Sequence, residues 1–263
     1  MFRIPLPVRI KLIREFLEEK YNFYNRPEFI ETDPVRIPHN YTNKNDIEIS
    51  AFLTATISWG QRPIIIRNGF RLLRLMKGSP YNFIMNFGEN DLEVFNDFRH
   101  RTFQPEDCKF FLLSLQNIYK NHKSLQNLFE DPVIKGGSVK DSLINFRKVF
   151  FEIPHLPRTR KHVPSVGKGA SAKRLNMFLR WMVRDDKSGI DFGIWNGILQ
   201  PKDLFLPLDV HSGSVSRKLG ILKRNQNDWK AVEEVTNLLR KLDPSDPVKY
   251  DYALFGMGIY EKF

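Results

Sequence analysis

Apolar residues recur along this chain at steps of three and four, the spacing of one helical face, over most of its length. The pattern predicts helices over 10–24, 46–59, 63–76, 79–86, 89–95, 105–120, 124–130, 139–151, 173–184, 228–242 and 247–257. Some starts carry their own signals. Asp46 stands ready to cap the second helix, Pro63 suits the first turn of the third, and Asp246 precedes the last. Asp243 and Pro244 end the helix before it. No stretch alternates with the period of a strand, and there is no internal repeat or low-complexity tract. The expected fold class is all-α.

Composition adds packing material and charge. The 263 residues include 22 Phe against 15 Gly, which suits long helices packed by bulky side chains. Lys and Arg number 41 against 30 Asp and Glu, a net charge of +11 that favours a polyanionic partner through counterion release. Cys108 is the only cysteine, which excludes an internal disulfide, a four-cysteine zinc site and an iron–sulfur cluster. The first 21 residues read as an amphipathic helix rather than a signal peptide, and no run approaches a membrane span. A cytoplasmic monomer without cofactor, metal or membrane contact is expected.

Charge is uneven along the chain. From His155 to Arg184 there are eight basic residues and no acidic one: Arg158, Arg160, Lys161, Lys168, Lys173, Arg174, Arg180 and Arg184. Leu175, Phe178, Leu179 and Met182 form the apolar stripe of the helix there, which places Lys173, Asn176, Arg180 and Arg184 together on another face. A charge run is ordinarily a solvated face. Here it starts in a loop holding Gly167 and Gly169 before a helix N-terminus, where close backbone approach and the helix dipole suit a phosphate. Lys173 opens that helix, where an ammonium is electrostatically misplaced; such a position favours the neutral, nucleophilic amine. Further on, Asp209 precedes a helical pattern and can be read as a cap or as a catalytic acid, with His211 beside it as a packed or acid–base residue. No second metal-type ligand stands at the right spacing.

The string LDVHSGSVSRKLG at 208–220 resembles the helix-hairpin-helix DNA glycosylase superfamily, which includes endonuclease III and the 8-oxoguanine glycosylases. Its pattern V-D-T-H-V-x-R-V-x-x-R-L-G is matched at Asp209, His211, Val215, Leu219 and Gly220, with Lys218 for the final Arg and Ser214 at the inner Arg. PSVG at 164–167 is similar to the family's P-G-V-G hairpin, and KRLN at 173–176 to the K-T-A-N start that bears the catalytic lysine. Counting contiguously from the hairpin puts the lysine slot at Gly169, beside Lys168; a longer hairpin puts it at Lys173. Residues 49–73 resemble the first barrel helices, where Gln61 or Trp59 would enter the DNA stack with Arg62 adjacent. DYALFGMG at 251–258 resembles a helix that precedes the iron–sulfur cysteines in some members.

The resemblance implies two helical subdomains flanking a DNA-binding cleft. One would cover 46–184 and end in the hairpin; the other would join 1–45 to 185–263, so that Lys173 and Asp209 face each other from the two sides. It implies a bifunctional glycosylase and AP lyase of base-excision repair, acting on duplex DNA with a damaged, for instance oxidised, base or an abasic site. Lys173 would form the Schiff base, with Lys168 in reserve. Asp209 would accept a proton and stabilise the cationic sugar, and His211 would orient the helix start. Gly167, Lys168, Gly169, Arg174, Arg180, Gln61 and Arg62 would contact DNA. Two other readings stand beside it: a non-catalytic DNA-binding protein that keeps the fold, and an RNA- or ribosome-associated basic helical protein. The aromatics Trp181, Phe192, Trp195 and Phe205 can be read as core or as a base pocket.

Overall fold

The computed structural model describes residues 6–195 and 197–263, so the expectation for the first residues lies partly outside it. Among the described residues there is no strand. The described residues hold twelve α-helices, short 3-10 turns and a final π turn: α1 (Leu6–Tyr24), α2 (Glu28–Thr32), α3 (Lys44–Ile57), α4 (Arg62–Leu75), α5 (Pro80–Asn86), α6 (Pro105–Asn121), α7 (Leu125–Ile134), α8 (Val139–Phe150), α9 (Lys173–Val183), α10 (Val210–Lys218), α11 (Trp229–Leu242) and α12 (Tyr250–Gly256). The segment at Glu89–Phe95, expected as a helix, is 3-10. No helix among the described residues is long and apolar enough to cross a membrane.

The chain divides into two compact units, Ile30–Ser165 with Ile194–Ile198, and Met1–Phe29 with Val166–Gly193 and Leu199–Phe263. In the first, α3 is buried from Ile47 to Ile57 and packs against α4 and α5, while α6 and α7 lie on α8. Phenylalanines fill this core: Phe52 meets Phe146 at 5.5 Å, Phe111 meets Phe150 at 4.7 Å, and Phe129 meets Phe146 at 4.8 Å between ring centroids. Glu48 is fully buried there, and burial raises its pKa. It accepts Tyr119 Oη–H (2.5 Å), the Leu125 amide (3.1 Å) and Trp195 Nε1–H (2.7 Å). Trp195 is therefore a core residue, as is Trp181 of α9, at 1 % exposure each.

Local caps start several helices. Asn43, not Asp46, caps α3, because the Asp46 carboxylate is taken by the Tyr81 amide at 2.8 Å. Ser138 and Asp141 form a reciprocal box at α8. In the second unit, Asp209 caps α10 and Asp228 caps α11. Asp246 makes no cap bond; it accepts Arg184 Nε at 2.7 Å instead. The segment it precedes begins as a 3-10 turn, Pro247–Lys249, before α12.

In that second unit α12 packs against α1 and α10, and α11 against α1. Helix α9 folds with the residues after 199, not with the segment from 46 as the sequence suggests. The reasons are bonds that no local pattern announces. Gly169 O accepts the Trp229 amide at 2.8 Å, and Arg180 of α9 and Arg184 just after it find carboxylates at Asp251 and Asp246.

Candidate active site

The loop before α9 is a 3-10 turn at Val166–Lys168, followed by Gly169 with φ +89°, a left-handed backbone that favours glycine. Gly167, Lys168 and Gly169 are exposed. Ala172 is also left-handed, at φ 48° and ψ 39°, a strained conformation for a residue with a Cβ. Its strain sets the sharp entry that makes Lys173 the first residue of α9. Asn176 Nδ2 steadies the entry by donating to Ser171 O at 3.0 Å.

Lys173 Nζ lies 3.9 Å from Asp209 Oδ2, with both side chains about a quarter exposed, at 24 % and 23 %. Both belong to the second unit, rather than to the two sides of a cleft that the resemblance implies. Around the ammonium are Met177 Sδ at 3.5 Å and the Phe255 ring at 5.9 Å, neither of which can take its proton. Asp209 divides its two oxygens. Oδ1 accepts the amides of His211 (2.9 Å) and Ser212 (3.0 Å) and the Ser212 hydroxyl (3.2 Å), while Oδ2 faces Lys173. One carboxylate thus caps its helix and meets the lysine at once. Asn227 Nδ2 donates to Asp209 O at 2.9 Å, and Asn227 Oδ1 accepts from Arg217 Nη2 at 2.6 Å, bracing the start of α10.

Behind the pair lies a buried ionic network. Arg180 binds Asp191 through Nε at 3.2 Å, Asp251 through Nη1, and the Tyr252 hydroxyl at 3.1 Å. Arg184 binds Asp186 (2.8 Å), Asp191 (3.0 Å), Asp246 (2.7 Å) and the Tyr21 hydroxyl (2.6 Å). Desolvation pulls the pKa of both guanidiniums down, and the facing carboxylates more than offset it, so both end above the usual arginine value. Arg180 and Arg184 are 4 % and 2 % exposed. The expectation that Arg180 contacts DNA from a basic surface is therefore corrected: carboxylates far along the chain draw that face of α9 inside. Asp251, in the same network, is pushed up to about 6 by burial, against the opposing pull of Arg180 and Lys173.

The other expected residues sort as follows. Lys168 is exposed in the turn, and the lysine brought to Asp209 is Lys173. Arg174 is half-buried, with its pKa lowered by desolvation. His211 is exposed, its ring edge-on to Phe255 at 6.5 Å. Gln61 and Arg62 lie in the first unit, Gln61 exposed at the head of α4 and Arg62 half-buried. The turn before them is braced. Asn68 donates to His100 Nδ1 at 3.0 Å, which leaves Nε2–H to donate to Trp59 O at 3.1 Å. Gly60 stands at φ +107° against the Arg101 side chain. Asp251, Met177, Phe255 and Asn227 join the site without any local signal that singles them out. Asp251 does stand within the motif at 251–258, but its partners are distant in sequence.

The sequence model of a family described as "Protein of unknown function (DUF2400)" matches residues 33–260. The chain belongs to the DUF2400 family. No curated protein and no solved structure matches it. The matched range holds Lys173, Asp209, Asp251 and Gln61, and leaves out all of α1.

Proposed function

We propose that this DUF2400 chain is a bifunctional DNA glycosylase and AP lyase of the helix-hairpin-helix kind, acting on a damaged base in duplex DNA. The observation that carries the reading is the approach of Lys173 Nζ to Asp209 Oδ2, two residues distant in sequence and both partly open to solvent. The motif resemblance at 208–220 and the net charge of +11 support it.

In this reading the exposed turn at 167–169 and Lys168 grip phosphate without reading sequence. The damaged nucleotide is extruded from the stack at a cost that is lowest for a lesion. Lys173, as the free amine, attacks the sugar C1′. The C1′–N bond to the base breaks, and ring opening leaves a Schiff base on the lysine. Asp209, with Oδ1 held by its helix, presents Oδ2 to the positive charge that develops on the sugar.

Borohydride reduction in the presence of lesion-bearing or abasic duplex tests this. Wild-type protein yields a covalent protein–DNA adduct, and Lys173→Gln abolishes it. No adduct from wild type across a panel of oxidised, deaminated and abasic duplexes sinks the assignment.

A further inference from the structure

One short segment between α10 and α11 holds the backbone beside both members of the Lys173–Asp209 pair. Asn227 Nδ2 donates to Asp209 O at 2.9 Å, and two residues on, the Trp229 amide donates to Gly169 O at 2.8 Å. Asp228, between them, bridges to Ala170 and starts α11, its Oδ1 accepting the Ala231 amide at 3.1 Å. Gly169 and Ala170 belong to the turn that leads through Ser171 and the left-handed Ala172 into Lys173. Three consecutive residues therefore tie down the acid's side and the lysine's side at once.

Asn227 suits this place by a chemistry that few side chains share. Its Oδ1 accepts from Arg217 Nη2 at 2.6 Å, a group that can only donate, and its Nδ2 meets a carbonyl, which can only accept. Both ends of one amide are used, so its orientation is determined. Arg217 is fixed in turn, its Nε donating to Arg224 O at 2.8 Å. Gly213, inside α10, makes room for the amide: a Cβ there would stand 2.7 Å from Asn227 Oδ1 and 3.1 Å from Nδ2. A glycine inside a helix weakens it, and here its bare Cα lets Asn227 lie against the first turn. A helix of nine residues holds its own ends weakly, so a brace on the carbonyl of its cap bears on where Asp209 points.

Resting on the glycosylase and lyase reading above, we propose that Asn227 is the positioning residue of the site. Seated over Gly213, it holds the first turn of α10 so that Asp209 Oδ2 stays in reach of Lys173, while Trp229 holds the lysine's turn from the same segment. Asn227 acts through the Asp209 backbone, not on the reacting atoms. Displacing its amide lets Asp209 turn away from the sugar charge it stabilises, so the loss falls on the chemical step rather than on DNA binding.

Two variants displace the amide contact in different ways. Gly213→Ala leaves Asn227 present but fills its seat, while adding a better helix former to α10. Asn227→Asp keeps an acceptor for Arg217 and removes the donor to Asp209 O. Each is expected to melt within a few degrees of wild type and to bind duplex DNA with little change. Each forms the borohydride-trapped adduct about 10- to 100-fold more slowly in single turnover. The double variant is no slower than the slower single one, because both changes remove one contact. Without DNA, the Lys173 ε-methylene NMR resonances, assigned with Lys173→Gln, move in both variants toward their position in Asp209→Asn. A wild-type adduct rate, or wild-type resonances, in either folded variant overturns the positioning role and leaves the lyase reading standing. Absence of any wild-type adduct defeats the lyase reading, and the resonances then decide by themselves whether Asn227 holds the pair together.

Discussion

The unit built around α3 and the unit built around α9 bury their charged groups in opposite ways. In the first, two buried carboxylates, Glu48 and Asp107, each take neutral donors, joined at Asp107 by the Arg158 guanidinium at 2.9 Å. Glu48 is held by a tyrosine, a tryptophan and an amide; Asp107 takes the Thr159 hydroxyl at 2.6 Å and the Gln104 amide at 2.9 Å, with Arg158 and His162 alongside. In the second, two arginines share four aspartates, Asp186, Asp191, Asp246 and Asp251. Aromatic packing is non-directional and tolerates small shifts. An ionic network is weak evidence of stability but strict about geometry, since each pair repays its desolvation only when well placed. The difference teaches where precision is held: α9 is the helix that carries Lys173, and its register is fixed by charge.

Removing Arg184 breaks this comparison hardest. Arg184→Ala leaves buried Asp186 and Asp191 and half-buried Asp246 without their shared cation, and is expected to cost about 4–5 kcal/mol in urea unfolding at pH 7. The cost shrinks at acid pH, where Asp246, whose pKa burial already raises, takes up a proton. Phe111→Ala in the other unit removes a ring packed on Phe150, Phe103 and Phe52, at about 3–4 kcal/mol. Its cost is the same at pH 4 and pH 7, because nothing ionic is stranded. Equal pH responses for the two variants would erase the distinction between the units.

The smallest effect sharpens it. The Asp251 carboxyl is raised from 3.8 to about 6 in the folded protein, so between those values the unfolded chain releases a proton that the folded chain keeps. Its contribution favours the folded state below about pH 4 and is lost as pH rises through 6. At about 1.4 kcal/mol for each tenfold change in proton affinity, the loss is about 3 kcal/mol. Asp251→Asn abolishes this part of the pH dependence, which the difference between wild-type and variant unfolding curves at pH 4 and pH 7 measures.

Much of the helical pattern is legible in the sequence, and the misreadings share one cause. Asp46 and Asp246 both stand where a cap is expected, and both are used elsewhere, by Tyr81 and by Arg184. An aspartate before a helix has a local use and a tertiary one, and the stronger partner takes it. Asp209 poses in sequence a choice between cap and acid; with two oxygens, it does the first and faces the lysine as well. The basic face of α9 misleads for the same reason. A run of cations reads as solvated until carboxylates from elsewhere neutralise it, and one of the two carboxylate partners of Arg180, Asp251, is 71 residues away.

By itself the sequence determined where most helices run and how several of them start, because hydrophobic period and capping act within a few residues. It also determined the excess of positive charge and the supply of aromatic side chains. Only the tertiary structure decided that Lys173 meets Asp209, that Arg180 and Arg184 are inside, and that Asp251 pairs with Arg180. Those pairings join segments that share no local period, and they form only when α9, α10 and α12 pack in one unit and exclude the water that would otherwise keep the charges apart.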